Sequence, residues 1–149
     1  MIRPAEPRDI PMIARLGRDF HAAAGWADVF EYSEDDCAAS LGKFMELDCF
    51  ICLVADEGGI VGMASGLLSP VYFNASHLSG EELFWWVDPA HASQGVGLRL
   101  LAALEDEAKA RGCQSWQMKS LARLHGERMG RLYERRGYRA SEQSYIKRL

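Results

Sequence analysis

Leu83-Phe84-Trp85-Trp86-Val87 is an unbroken apolar run that stops at Asp88-Pro89, and a glycine-bearing turn, Ala92-Ser93-Gln94-Gly95-Val96-Gly97, follows within three residues. A run of aromatic and β-branched residues fits a buried strand, and proline ends it because it has no N–H to give to the ladder. Beyond Gly97, Leu101, Leu104 and Ala108 recur at helical spacing as far as Gly112. A strand that passes through glycines straight into an amphipathic helix must lay that helix back across its own sheet. This single passage restricts the chain to architectures in which helices cover a sheet.

The flanking segments fill in the order of elements. Ile2 to Ala5 is a short extended piece. Pro7 and Pro11 flank the start of a helix with Ile10, Ile13, Leu16 and Phe20 on one face, ended by Gly25. Ser33 followed by Glu34-Asp35-Asp36 is an N-cap with acids in the first turn, opening a helix to about Leu47. Phe50 to Ala55 and Ile60 to Ser69 read as a hairpin around Asp56-Glu57-Gly58-Gly59. Residues 70–80, with Pro70, Tyr72, Phe73, Asn74 and His77, read as a polar and aromatic loop. After Gly112 come a strand from Ser115 to Lys119, a helix from about Gly126 to Arg136, and one or two strands within Tyr138 to Leu149. The order β-α-α-β-β-β-α-β-α-β mixes hairpins with helical crossovers, which predicts an α/β fold on a mixed sheet. The length, 149 residues, suits one domain spanning 1–149.

Composition removes several function classes. No apolar run approaches the ~20 residues that cross a bilayer, and the N-terminus lacks a signal-peptide core, so a cytoplasmic location without membrane contact is expected. The net charge of −4 argues against nucleic acid as a partner. Residues 1–110 hold 7 Lys or Arg against 18 Asp or Glu, while 111–149 hold 10 against 3. Such polarity suits either two solvated faces or a site with an anionic ligand near the basic part and a cationic one near the acidic part. Cys49 and Cys52 lie three apart in a predicted strand, so their side chains diverge as ordinary core cysteines do. The histidines at 21, 77, 91 and 125 show no metal-ligand spacing, and no metal is expected.

Strand, glycine turn and helix together make an anion cradle. The first-turn N–H groups converge on one point, and the helix dipole adds partial positive charge. Glycine lets the backbone come close to a ligand. A P-loop would need Lys-Ser/Thr where Leu98-Arg99 stands, and a dinucleotide fold would need a small residue where Leu100 stands. Neither pattern is met.

Asp88-Pro89 after an apolar strand, then Gln94-Gly95-Val96-Gly97 into a Leu-rich helix, resembles the acetyl-CoA signature of the GNAT superfamily of N-acetyltransferases. Leu132-Tyr133-Glu134-Arg135-Arg136-Gly137-Tyr138 is similar to that family's second motif, and the element order matches along the whole chain. The resemblance implies a GNAT-like acyl-CoA N-acyltransferase fold and transfer of acetyl from acetyl-CoA to a primary amine of a small molecule or peptide, by direct attack in a ternary complex. It implies cofactor contacts from Trp85, Trp86, Val87, Gln94, Gly95, Val96, Gly97 and Leu98. It gives Tyr133 the role of hydrogen-bonding the departing thiolate and an acid on the preceding strand, Glu81 or Glu82, that of base. His77 is the substitute base if neither glutamate reaches. One of Trp85 and Trp86 would face the cofactor, in an order left open.

This chain departs from the family pattern at Ala92-Ser93, where Gln or Arg then Gly is usual, and at Gly126, where Asn is usual. Those departures keep an alternative in view, an acetyl-CoA-binding module of this fold with little or no turnover. Trp26, Tyr72, Phe73 and His77 are the candidate acceptor-groove residues. Nine acids against one lysine between Ala22 and Glu57 favour a cationic acceptor. Homodimerisation is compatible with this reading.

Overall fold

The computed structural model describes residues 1–121, 123–124 and 126–149, so that His125 lies outside the described residues. Its sheet runs in sequence order, β1 (Ile2–Pro4), β2 (Phe50–Asp56), β3 (Ile60–Val71), β4 (Asn74–Val87) and β5 (Ser115–Gln117). The first four strands are antiparallel neighbours, and β5 joins β4 in parallel through a helical crossover, giving the expected mixed sheet. Helices α1 (Ile10–Ala24) and α2 (Glu34–Phe44) cover one face, while α3 (Val96–Ala110) covers the other. A fourth helix, α4 (Gly126–Arg135), follows β5.

Alternation along the strands divides the core in two. Ile51, Leu53, Ala55, Ala64 and Leu68 pack on Val96, Leu100, Leu104 and Ala108 of α3. Phe50, Val54 and Met63 pack on Ile13, Leu16 and Leu41 of α1 and α2. Cys49 joins the first layer and Cys52 the second, as their spacing requires, and all four cysteines are free thiols. On the α3 face a Cβ at Gly66 or Gly80 would run into the Trp116 ring, so these two glycines are a notch for that indole. Arg3 ties β1 to its surroundings, with Nη1 2.7 Å from Asp9 and Nη2 2.9 Å from Asp56. Its guanidinium holds both carboxyls below the usual carboxylate range.

Two expectations are corrected. Residues 70–80 are not a loop, because β3 and β4 continue through them and turn only at Tyr72–Phe73, with Val71 opposite Asn74. Turn-forming types such as Pro70 and Asn74 are tolerated because this end of the hairpin extends past the core, where nearly every residue is exposed. Residues 138–149 form no strand. Among the described residues the segment has neither a ladder partner nor an apolar face to bury, and Tyr145 and Ile146 remain exposed.

Candidate active site

The turn after β4 is built largely from backbone. Asp88 Oδ1 accepts the Ala90 N–H at 2.9 Å, starting a 3₁₀ turn over Pro89–Gln94. Gly95 then adopts φ 70°, a left-handed conformation that a side chain would strain, and hands the chain to α3. No side chain caps α3, whereas at α2 the Ser33 hydroxyl accepts the Asp36 N–H at 3.1 Å. The first-turn amides of Val96, Gly97 and Leu98 therefore stay open to an anion. Arg99 braces the turn from below, with Nη1 donating to Gln94 O and Nη2 to Glu57, both at 2.9 Å. Gly97 serves packing as well, since its Cβ would come within 3.3 Å of the Trp85 ring.

Beside this turn the sheet opens. Among the described residues β4 and β5 pair only from Ser79–Ser115 to Glu81–Gln117, and β4 runs on to Val87 with that edge unpartnered. Opposite the opening, Ser65 faces Phe84 and Gly66 faces Glu82, which leaves Leu83 as a bulge. The bulge puts Leu83 and Phe84 together on the α1–α2 face. Residues around it sort cleanly. Glu82, Trp85 and Val87 turn to the α3 face, and Glu81, Leu83, Phe84 and Trp86 to the other.

Glu81 and Glu82 thus part company as adjacent strand residues should. Glu81 is half exposed, with Lys119 Nζ 3.4 Å away. Glu82 is buried at 4% exposure, and burial pushes its carboxyl up to about 7. Glu82 Oε2 accepts the Lys119 N–H at 2.9 Å, and the Tyr133 hydroxyl donates to the Lys119 carbonyl at 3.0 Å. Both polar groups of one residue, just beyond the last β4–β5 pair, are therefore held by side chains instead of by a ladder. Burial, then the nearby Glu82 charge, raises the Tyr133 phenol well above its ordinary range, so it keeps its proton.

The remaining candidates scatter. Trp85 stacks 6.3 Å from Tyr133 on the α3 face, while Trp86 packs 5.7 Å from Phe20 on the opposite one. Trp26 lines a cavity between α1, α2 and β4. Tyr72 and Phe73 form an exposed pair at the hairpin tip, roughly 30 Å along the strand from Leu83, and do not line that cavity. His77 is engaged with Ser115 Oγ at 2.9 Å, about 13 Å along the strand from Glu81. A larger groove of about 420 Å³ between Pro7, Ile10 and the C-terminal half of α2 contains none of the candidates. Sequence reasoning missed Lys119 as the shared anchor, Arg99 as the brace and Leu83 as the bulge.

The turn suits a phosphate-bearing ligand because its helix end carries no side-chain cap and Gly95 presents bare backbone there. Among the described residues no group of three His, Cys, Asp or Glu side chains could hold a metal, and no helix is long and apolar enough to cross a membrane.

The mixed sheet covered by helices on both faces and opened beside an uncapped helix end is an α/β fold of the GNAT kind. The sequence profile of the Acetyltransferase (GNAT) family matches residues 14–138, and the chain belongs to that family, whose acyl donor is acetyl-CoA. No curated protein matches it. Among solved structures it is similar to a ribosomal-protein-alanine N-acetyltransferase from Brucella melitensis biovar Abortus, at TM-score 0.76 and 19% identity, covering 100% of this chain and 98% of that one. An aminoglycoside acetyltransferase from an uncultured soil metagenomic sample gives TM-score 0.73 at 19% identity over 100% and 94%. A predicted acetyltransferase from Clostridium acetobutylicum, solved with acetyl-CoA, gives 0.76 at 14% over 99% and 94%. At such identities the likeness is one of fold.

Proposed function

We propose that this chain, as one domain, transfers the acetyl group of acetyl-CoA to a primary amine by direct attack while both are bound. The observation that carries the reading is the gap between β4 and β5 after Glu81, with the uncapped α3 end at one side and Glu81, Glu82 and Tyr133 ranged around it. Acetyl-CoA supplies an activated thioester, which an amine can open without a covalent enzyme intermediate. Gln94 and the amides of Gly95, Val96, Gly97 and Leu98 hold the pyrophosphate. The unpaired β4 edge from Trp85 to Val87 offers backbone groups to the donor's arm, and an N–H there polarises the carbonyl as charge develops.

Glu81 is the base in this reading. Its carboxylate is solvent-accessible, and its exposed ion pair with Lys119 is weak enough to release it. It takes one proton of the incoming ammonium, directly or through one water, and so frees the lone pair that forms the nitrogen–carbon bond. The nitrogen loses its second proton as the carbon–sulfur bond breaks, leaving amide and thiol. Tyr133 faces the donor side. Its proton, now given to the Lys119 carbonyl, is the one it offers to the departing sulfur. A phenol raised this far transfers a proton to a thiolate only uphill, so hydrogen bonding during cleavage describes its role. Glu82 positions Lys119 and with it Tyr133.

The relatives that act on aminoglycosides and on a ribosomal protein's alanine make both small-molecule and peptide amines reasonable acceptors. Calorimetry with acetyl-CoA, followed by an amine panel read by a thiol-detecting dye, tests the reading. Binding with acceptor-dependent thiol release supports it. Binding without release for any amine reduces the chain to a CoA-holding module.

A further inference from the structure

On the face of β4 that carries Glu81, a cavity of about 300 Å³ opens between α1, α2 and the bulge. Its walls are Phe20, Trp26, Phe30 and Phe84, and Leu83 and Met63 lie among its other apolar residues. Besides the Cys37 thiol beside Tyr32, two polar side chains reach the lining, and both are already committed to backbone. His21 Nε2 lies 3.0 Å from Phe30 O, and the Tyr32 hydroxyl donates to Ala14 O at 2.5 Å. Gly17 makes the second bond possible, since a Cβ there would sit 2.6 Å from that hydroxyl. These anchors hold the 26–32 segment over the cavity while removing its polar groups from the interior.

The segment that carries Trp26, Phe30 and Tyr32, continued into the start of α2, is acidic in sequence. From Trp26 to Asp36 the chain carries Asp28, Glu31, Glu34, Asp35 and Asp36 and no Lys or Arg. Arg18 pairs with Glu34 and Arg123 stands 4.0 Å from Asp28, whereas no cation pairs with Glu31 among the described residues. An apolar, aromatic interior of this volume is at the small end of ligand sites and fits one or two rings. An acidic segment carrying Trp26 and Phe30 into the lining favours a cation, by charge and by the indole face.

Resting on the acetyltransferase reading above, we infer that the acceptor is an arylalkylamine, whose ring fills this cavity and whose ammonium remains at the mouth on the Glu81 side of β4. Leu83 and Phe84 line the cavity two and three residues from Glu81 on the same face, roughly 7–10 Å along the strand, a span that a ring and a short alkyl chain cover. Long hydrophilic polyamines and aminoglycosides would leave the aromatic walls wet.

The experiment compares phenethylamine and tryptamine with ethylamine, spermidine and kanamycin as acceptors, using acetyl-CoA and thiol release. The aryl amines should exceed ethylamine in kcat/KM by about tenfold or more, as filling an apolar pocket provides. Trp26→Ala and the more exposed Phe30→Ala should each collapse that preference toward unity, with melting curves confirming that both fold. Higher kcat/KM for spermidine or kanamycin than for phenethylamine overturns the inference and leaves the acetyltransferase reading intact. If no amine is turned over, calorimetric titration with phenethylamine still decides the matter. Binding weakened by Trp26→Ala sustains the pocket assignment while the transferase reading fails, and absent binding overturns the inference as well.

Discussion

The two faces of β4 are built on different principles. Toward α3 the strand meets an uncapped helix end, the Trp85 ring and the Glu82–Lys119–Tyr133 clasp, where backbone groups and two buried side chains do the holding. Toward α1 and α2 it meets an aromatic cavity lined in part from an acidic segment and made by side chains from distant parts of the chain. A donor recognised through amides needs glycine and a helix end. An acceptor recognised by shape and charge needs particular side chains, and on the proposed reading the Leu83 bulge lets one strand serve both. The clearest ways to break this division are changes that one face should feel and the other should not.

The largest expected effect belongs to Glu82. Its folded carboxyl sits at about 7 against an ordinary 4.5, so the folded state binds this proton more tightly than the unfolded state. Stability contributed by that proton is full below pH 4.5 and is lost as pH rises toward 7, with an upper bound of roughly 3 kcal/mol at ~1.4 kcal/mol per unit. Glu82→Gln should flatten the stability–pH profile across that window while its carbonyl oxygen still accepts the Lys119 N–H. Denaturant melts at several pH values measure it. Glu81→Gln, on the exposed side, should leave the slope in place, and equal slopes for wild type and Glu82→Gln would refute the burial argument.

Tyr133→Phe comes next. It removes the hydroxyl and keeps the ring against Trp85 and Tyr138, so acetyl-CoA affinity should change little. The hydrogen bond to Lys119 O is lost, and melting should fall by only about a kcal/mol. Turnover should drop about 10²-fold, with kcat and kcat/KM falling together. Wild-type kcat beside a lowered melting point would make Tyr133 a packing residue. Glu81→Gln should cost less, on the order of tenfold at neutral pH, because an exposed base acting through water stays below the ~10² of a directly placed one. Recovery at high pH, where the amine deprotonates without help, distinguishes a lost base from a lost binding contact.

These residues also show which features a sequence can disclose. The turn from Asp88 to Gly97 is local, so its geometry is written in consecutive residues and could be read in advance, including the opposed directions of Glu81 and Glu82. The relation of Glu82 and Tyr133 to Lys119 joins residues 37 and 14 positions apart, and no local pattern announces it. The same holds for Gly17, whose missing side chain makes sense only once Tyr32 lies over it. Tyr72 and Phe73 misled because turn-forming and aromatic residues look alike in a groove loop and at a hairpin tip. The distinction depends on how far β3 and β4 stay paired, and polar residues outside a core do not record that. Tyr138 to Leu149 reads as one or two strands, but a strand needs a neighbour and a face to bury, and this segment has neither among the described residues.

The smallest expected effect is the most discriminating for the donor face. Gln94 is exposed, stands directly before Gly95 and lends α3 no side-chain cap. An acid there lies near the positive end of the helix dipole, which by itself stabilises a helix by ~0.3–1 kcal/mol. Gln94→Glu should therefore leave the melting temperature unchanged or slightly raised. The same charge sits where the pyrophosphate must arrive, and about 1 kcal/mol of repulsion weakens acetyl-CoA binding roughly fivefold. Added salt should narrow the gap, since an exposed charge at this distance is screened within a Debye length of ~8 Å at physiological ionic strength. Calorimetry with acetyl-CoA at two salt concentrations, beside one melting curve, separates the outcomes. Tighter folding with looser binding marks the α3 end as the anion site. Unchanged affinity at low salt would move the pyrophosphate elsewhere, and the donor face would then lose the backbone cradle that sets it apart from the acceptor face.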